Sequence, residues 1–236
     1  MATFVLVHGS FHGGWVWRHV ARRLRAAGHD VLAPTLTGSG ERIHLLSREV
    51  GLATHVDDVV NAIVHEDARD IVLVGHSYGG AVITMAADRV VDRLRRLVFL
   101  DAVAPTAGQC ATGGFADNTK LTELGDDWLL PPLPFDCVGV TDPDDVAFMD
   151  ARRHPHPMAT LYTPVSPTGE ADSVPRSYIV FSAKQAMLEL FGVDPLRVFV
   201  ERAEREGWRM QTIEAGHDAM FTHPEPVTAA LLAELE

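Results

Sequence analysis

The chain alternates short, mostly apolar runs with longer stretches whose apolar residues recur every three or four positions. The short runs are Thr3 to Val7, Val31 to Ala33, Ile71 to Val74, Leu97 to Leu100, Tyr178 to Phe181 and Trp208 to Ile213. They lack a sustained apolar–polar alternation, so they predict strands buried on both faces. The longer stretches predict helices. Trp15 to Ala27 places Trp17, Val20, Leu24 and Ala27 on one face and stops at Gly28. Val56, Val59, Val60 and Ile63 mark a second helix, opened by Thr54-x-x-Asp57, which has the form of a capping box. Ala81 to Val91 reads as a third. Asp194-Pro195 reads as an N-cap and first-turn proline opening a fourth, which runs towards Glu206, and Pro226 to Leu235 closes the chain. Strands alternating with helices of this length predict an α/β protein, with a mostly parallel sheet of six strands and helices on both faces.

The alternation stops between residues 104 and 175. That segment holds ten of the chain's 14 prolines, and eleven acidic residues against three basic ones. It reads as an irregular insertion with two short helices, around Leu121 to Leu130 and Asp144 to Arg153. The expected organisation is a core of residues 1–103 and 176–236 with residues 104–175 inserted as a lid. Ligands of such sheets bind beyond the carboxyl ends of the strands, and Ser10, Ser77, Asp101 and His217 all follow such ends.

One junction carries chemistry. Ile71-Val-Leu-Val is followed by Gly75-His-Ser-Tyr-Gly79-Gly80. G-x-S-x-G between a buried strand and a helix is the sharp turn that presents a serine as a nucleophile. Gly75 and Gly79 then flank a turn where a Cβ would meet neighbouring backbone, and Gly80 lets the helix pack close. Ser77 is therefore the candidate nucleophile.

Composition narrows the setting. With 236 residues, 47% of them hydrophobic, the chain is one domain with an insertion. A net charge of −12 argues against nucleic acid and anionic membrane surfaces as partners. No run of ~18 apolar residues occurs, so no membrane span is expected. Met1-Ala2-Thr3 enters a strand directly, without the basic-then-apolar form of a leader. Cys110 and Cys137 have no metal-ligand spacing; a disulfide between them is one reading, and reduced thiols in a cytoplasmic protein are the preferred one. His154 and His156 lack a third ligand of obvious spacing, so no metal and no cofactor is expected. Homodimer formation stays open.

Five stretches together carry a resemblance: Phe4-Val-Leu-Val-His-Gly9 with His12-Gly-Gly-Trp15, Ala33-Pro-Thr-Leu-Thr-Gly38, Val72 to Gly80, Leu97-Val-Phe-Leu-Asp101 and Ala215-Gly-His217. In this order the chain resembles the α/β-hydrolase fold, and within it the group of plant methylesterases, hydroxynitrile lyases and related bacterial esterases. The resemblance implies His217 as the base that takes the proton of Ser77. It implies an oxyanion hole built from the backbone N–H of Tyr78 and of the loop at Ser10, with Phe11 as neighbour. It also speaks on the reaction. The lyases resemble one another in a threonine where Gly9 stands here, and in a lysine after the catalytic histidine, where Asp218 stands here. Both departures argue against cyanohydrin cleavage.

The third member of the triad is where this chain departs from the group. Its usual acid follows the strand equivalent to Tyr178 to Phe181, and that position holds Gln185, an amide that cannot stabilise an imidazolium as a carboxylate does. Asp101 closes the preceding strand, where some α/β-hydrolases keep their acid, and is the preferred candidate. Asp194, Glu189 and no acid at all are the alternatives. His12, Trp128 and Tyr162 are candidate substrate contacts, and Phe135, Phe148 and Met149 are further candidates for the pocket wall. The expected activity is hydrolysis of a carboxylic ester or lactone of a small, largely apolar molecule through an acyl-enzyme. The rivals are a cofactor-free dioxygenase or tailoring cyclase using the His/Asp pair as base, and a non-catalytic small-molecule receptor of the same fold.

Overall fold

The computed structural model describes residues 1–113 and 127–236. Its centre is a six-stranded sheet of β1 (Thr3–Val7), β2 (Asp30–Leu32), β3 (Ile71–His76), β4 (Leu94–Leu100), β7 (Arg176–Phe181) and β8 (Arg209–Ile213), in the order β2-β1-β3-β4-β7-β8. Every neighbouring pair is parallel. The reversal of order between β1 and β3 leaves the carboxyl ends of β1, β3 and β4 side by side, the usual place for a ligand.

Both faces of the central strands are covered, which is why Phe4 to Val7, Ile71 to Val74 and Leu97 to Leu100 read as apolar runs, whereas the edge strand β8 carries Arg209, Gln211 and Thr212. Val5, Val7, Ile71, Leu73, Leu97 and Phe99 point to one layer, with α2 (Leu52–His65), α3 (Gly79–Arg89) and α7 (Arg197–Arg205). Phe4, Leu6, Val72, Val74, Val98 and Leu100 point to the other, with α1 (Arg18–Ala26), α8 (Ala219–Thr222) and α9 (Pro224–Ala233). Fully burying one such side chain contributes about 1.5–3 kcal/mol, so the central strands anchor the fold.

Several element boundaries differ from the sequence expectation. The stretch after Gly13 begins as a 3₁₀ turn, Gly14–Trp17, before α1. Helix α2 starts at Leu52, so Thr54 is its third residue and accepts from the Gly51 N–H at 3.4 Å, while Asp57 pairs with Arg89. Asp194 caps as expected, its Oδ1 accepting from Leu196 N–H, but α7 begins only at Arg197. A helix that the pattern did not predict, α6 (Gln185–Phe191), follows β7.

The segment expected as an insertion, residues 104–175, lies between β4 and β7. Its α4 (Pro143–Asp150) is capped by Asp142, whose Oδ1 accepts from two backbone N–H groups of the first turn. Of the helix expected at Leu121 to Leu130, residues 121–126 lie outside the described residues. Leu129–Leu130 instead forms β5, antiparallel to β6 (His156–Pro157), and a short α5 (Met158–Tyr162) follows. Backbone contacts tie the insertion to the strand ends. His154 N–H donates to Phe11 O at 3.1 Å, and Asp218 N–H donates to Val138 O at 3.0 Å. A Cβ on Gly216 would stand 2.6 Å from Gly139 Cα, so the two chains cross there in near backbone contact.

Candidate active site

The turn after β3 is as tight as its glycines demand. A Cβ on Gly75 would lie 2.7 Å from Gly79 O, one on Gly79 2.8 Å from His8 O, and one on Gly80 1.9 Å from Val103 O. Ser77 sits between them at φ +52°, a left-handed conformation that costs a serine about 1–3 kcal/mol and that the surrounding strands hold in place. Val103 N–H donates to Ser77 O at 3.1 Å, which braces the turn from β4's side. Phe11 and Asp101 are also at positive φ, +71° and +43°. Among the described residues, three of the five non-glycine residues at positive φ thus follow β1, β3 and β4, the other two being Asp67 and Asp70.

These ends meet at a cavity of about 270 Å³. Ser77, Tyr78, Ser10, Phe11 and His217 line it on the core side. The insertion contributes Ala111, Thr112, Leu130, Leu133 and Leu161, and the segment after β7 contributes Met187, Phe191, Pro195 and Leu196. Apart from the serine, histidine, threonine and tyrosine side chains, the wall is apolar. The structure does not bring His12, Trp128 or Tyr162 to this wall. His12 is buried beside Asp218, with its Nε2 3.2 Å from Asp218 Oδ2. Trp128 lies under the Arg48 guanidinium at 5.4 Å. Tyr162 offers its carbonyl to Cys110 Sγ. Leucines one or two places away in sequence line the cavity instead. Phe135, Phe148 and Met149 pack into the second core layer.

His217 Nδ1–H donates to Asp101 Oδ2 at 2.7 Å, and both groups are buried. In the neutral imidazole that bond assigns the proton to Nδ1 and leaves Nε2 as the acceptor. Asp101 Oδ1 accepts from Phe181 N–H at 3.2 Å and faces the Lys184 ammonium at 2.7 Å. Burial alone would raise this carboxyl's pKa. The bond and charge of His217, then the charge of Lys184, outweigh it and hold the pKa below the usual value. Gln185 bonds to Glu189 Oε1 at the exposed start of α6, so neither reaches His217. Asp194 also stays off the histidine, with its carboxylate on Lys184 and Leu196 N–H. Among the four candidate positions, the structure sets Asp101 against the imidazole. Lys184 was not foreseen, because a lone lysine between a strand and an exposed helix carries no pattern of its own.

Histidines build the rest of the frame. His8 Nδ1–H donates to Gly9 O at 2.8 Å and its Nε2 accepts from Leu36 N–H at 3.0 Å. His76 Nε2–H donates to His217 O at 2.8 Å. Burial lowers the pKa of each to about 3, so both stand neutral. His55 joins Tyr78 OH to Thr37 O, and His156 donates to Thr160 Oγ1. Asp218 is fully buried. Burial opposes its ionisation, but the attraction of His12 lowers its pKa to about 2. Among the described residues, no three His, Cys, Asp or Glu side chains converge as a metal site would require.

Comparison with known proteins agrees with this architecture. The carbendazim hydrolyzing esterase of Nocardioides sp. (strain SG-4G) is 36% identical over 251 residues, covering 99% of each chain. The pheophorbidase of Raphanus sativus is 30% identical over 260 residues, covering 97% of this chain and 92% of its own. Among solved structures, an extracellular alpha/beta-hydrolase from a Paenibacillus species superposes with a TM-score of 0.75 at 25% identity, covering 99% and 98% of the two chains. Residues 4–230 match the model of a single family, and with that span the chain belongs to the alpha/beta hydrolase family.

Proposed function

We propose that this enzyme is a serine hydrolase that cleaves a carboxylic ester or lactone of a small, largely apolar molecule through an acyl-enzyme on Ser77. The observation that carries the reading is the buried His217–Asp101 bond at 2.7 Å, placed against the apolar cavity that Ser77 also lines. Esterase relatives that span the whole chain support the reaction class.

His217 Nε2 takes the proton as Ser77 Oγ attacks the carbonyl carbon. Asp101 stabilises the imidazolium that forms. The carbonyl oxygen gains negative charge towards the backbone N–H groups of Tyr78 and of the Ser10–Phe11 loop, and one such donor is worth about 10²–10³ in kcat. His217 returns the proton to the leaving alcohol. Water then repeats the sequence on the acyl-enzyme and frees Ser77.

The cavity wall selects for apolar acyl or alcohol groups, because a charge there would meet no partner beyond the catalytic groups. The insertion acts as the lid over this wall. Gly9 disfavours a lyase for a steric reason as well: a Cβ there would stand 2.7 Å from Ser77 Cβ and 3.0 Å from His76 Nδ1. The position following His217 offers a buried carboxylate, Asp218, which does not line the cavity. Among the described residues, no helix is long and apolar enough to cross a membrane. Two buried free thiols, Cys110 and Cys137, fit a cytoplasmic setting.

The test is Ser77→Ala. A folded variant should lose ester hydrolysis by a factor of about 10⁴ or more, and an organophosphonate should label the wild type at Ser77 alone. Wild-type turnover in the variant would remove the acyl-enzyme and favour chemistry by the His/Asp base.

A further inference from the structure

We propose that Lys184 is a positioning residue for this reaction: its ammonium bridges Asp101 and Asp194, aligns the triad carboxylate, and sets how strongly His217 holds the serine proton. The proposal rests on the triad assignment above.

The geometry is specific. Lys184 Nζ lies 2.7 Å from Asp101 Oδ1 and 3.2 Å from Asp194 Oδ2. The lysine side chain is 5% exposed, that of Asp101 0% and that of Asp194 24%. A buried ammonium persists only where anions and acceptors replace its water, and here two carboxylates do. Asp101 is then fully occupied, with Oδ2 on His217 and Oδ1 on Lys184 and Phe181 N–H. The carboxylate cannot rotate without breaking one of these contacts. Asp194 continues the line, because its Oδ1 accepts from Leu196 N–H and Pro195 and Leu196 line the cavity. Lys184 therefore ties the triad acid to the wall against which substrate packs.

The charges give this bridge a function beyond packing. Asp101, Asp194 and Lys184 sum to one negative charge at rest, and protonated His217 brings the group to neutrality. Removing the lysine charge would leave two carboxylates pulling on His217 and strengthen its grip on the proton. Removing the Asp194 charge would leave Lys184 opposing that grip. The other titratable groups around His217 do not vary with these changes. The His76 ring lies 4.6 Å from it between centroids, tilted by 43°, and burial keeps it neutral. Asp218, next to His217 in the chain and attracted to it, is buried against His12 and is unchanged in every variant. Glu189 is engaged with Gln185 at the surface.

The experiment is kcat/KM against pH on a small apolar ester such as p-nitrophenyl butyrate. It compares wild type with Lys184→Met, Lys184→Arg, Asp194→Asn and Asp101→Asn. Lys184→Met should move the acidic limb up by about one pH unit or more and lower the plateau about tenfold through the loosened carboxylate. Asp194→Asn should move the same limb down. Lys184→Arg, which keeps the charge, should restore the wild-type limb. A merely structural lysine would leave the limb where it is. Wild-type limbs in both Lys184→Met and Asp194→Asn, beside an inactive Asp101→Asn, would overturn the role of Lys184 and leave the triad standing. An active Asp101→Asn would instead overturn the triad itself. Should Lys184→Met fail to fold, Asp194→Asn still decides: an unmoved or raised limb refutes the proposal.

Discussion

Lowering the pH from about 7.5 to about 5 should destabilise the protein through its buried histidines. His8 and His76 are fully buried, neutral and hydrogen-bonded, and burial lowers the pKa of each to about 3. In the unfolded chain the same groups titrate near about 6.5. Between these values the unfolded state binds more protons, so stability falls as pH falls through that window. At pH 5 each neutral histidine costs about RT ln(1 + 10^1.5), or about 2 kcal/mol, against almost nothing at pH 7.5. The pair therefore removes about 4 kcal/mol from a total typically of 5–15 kcal/mol. For a chain of this size that corresponds to a drop in Tm of about 8–16 °C. His55 and His156 shift in the same direction, again chiefly through burial, and add to the loss. The buried acid Asp218 acts in a different window. Its pKa is lowered to about 2, so its contribution is complete above an unfolded value of about 3.9 and is lost only as pH falls below that. Urea unfolding at the two pH values measures the difference directly. A change under about 1 kcal/mol would refute the neutral, buried setting of His8 and His76.

Three further outcomes follow from the turn and its neighbours. Gly80→Ala would place a Cβ 1.9 Å from Val103 O, and should cost more than about 3 kcal/mol or abolish soluble expression; an unchanged Tm would contradict the backbone packing described. Gly9→Thr should lower ester kcat/KM by at least about tenfold, since the side chain must displace Ser77 or His76. It should release no cyanide from mandelonitrile, and Ser77-dependent release would reverse that argument. In the wild type, kcat/KM should rise with pH through a single ionisation, that of His217. A flat profile from about pH 5 to about pH 9 would exclude His217 as base.

The parts of this molecule that were legible in its sequence are those where local pattern and burial coincide. Strands β1 and β3 and the Leu97 to Leu100 half of β4 are covered on both faces, so apolar runs mark them. Gly75, Gly79 and Gly80 could be read because each sits where a Cβ would strike backbone. Asp101 was legible as a carboxylate closing a strand beside the nucleophile strand, and its bond to His217 needs only sheet order to arise. What escaped depends on distant parts meeting. Lys184 is buried only because Asp101 and Asp194 come to it from other parts of the fold. Helix α6 carries Leu188, Leu190 and Phe191 on exposed positions, which defeats any amphipathic reading. Strands β5 and β6 are two residues each, too short to leave a period. The cavity wall misled for a related reason. In the segment between β4 and β7, Trp128 and Phe135 lie against Arg48 and Arg153, and Leu130 and Leu133 two places away line the cavity instead.

The central claim is that Asp101, rather than a residue after β7, is the acid behind His217. The most direct measurement is kcat for ester hydrolysis in Asp101→Asn and Gln185→Ala, each checked for a native circular dichroism spectrum. The account predicts that Asp101→Asn loses activity by about 10⁴, as loss of the triad acid does elsewhere, while Gln185→Ala stays within about twofold of wild type because its amide meets only Glu189 at the surface. Wild-type turnover in folded Asp101→Asn would contradict it.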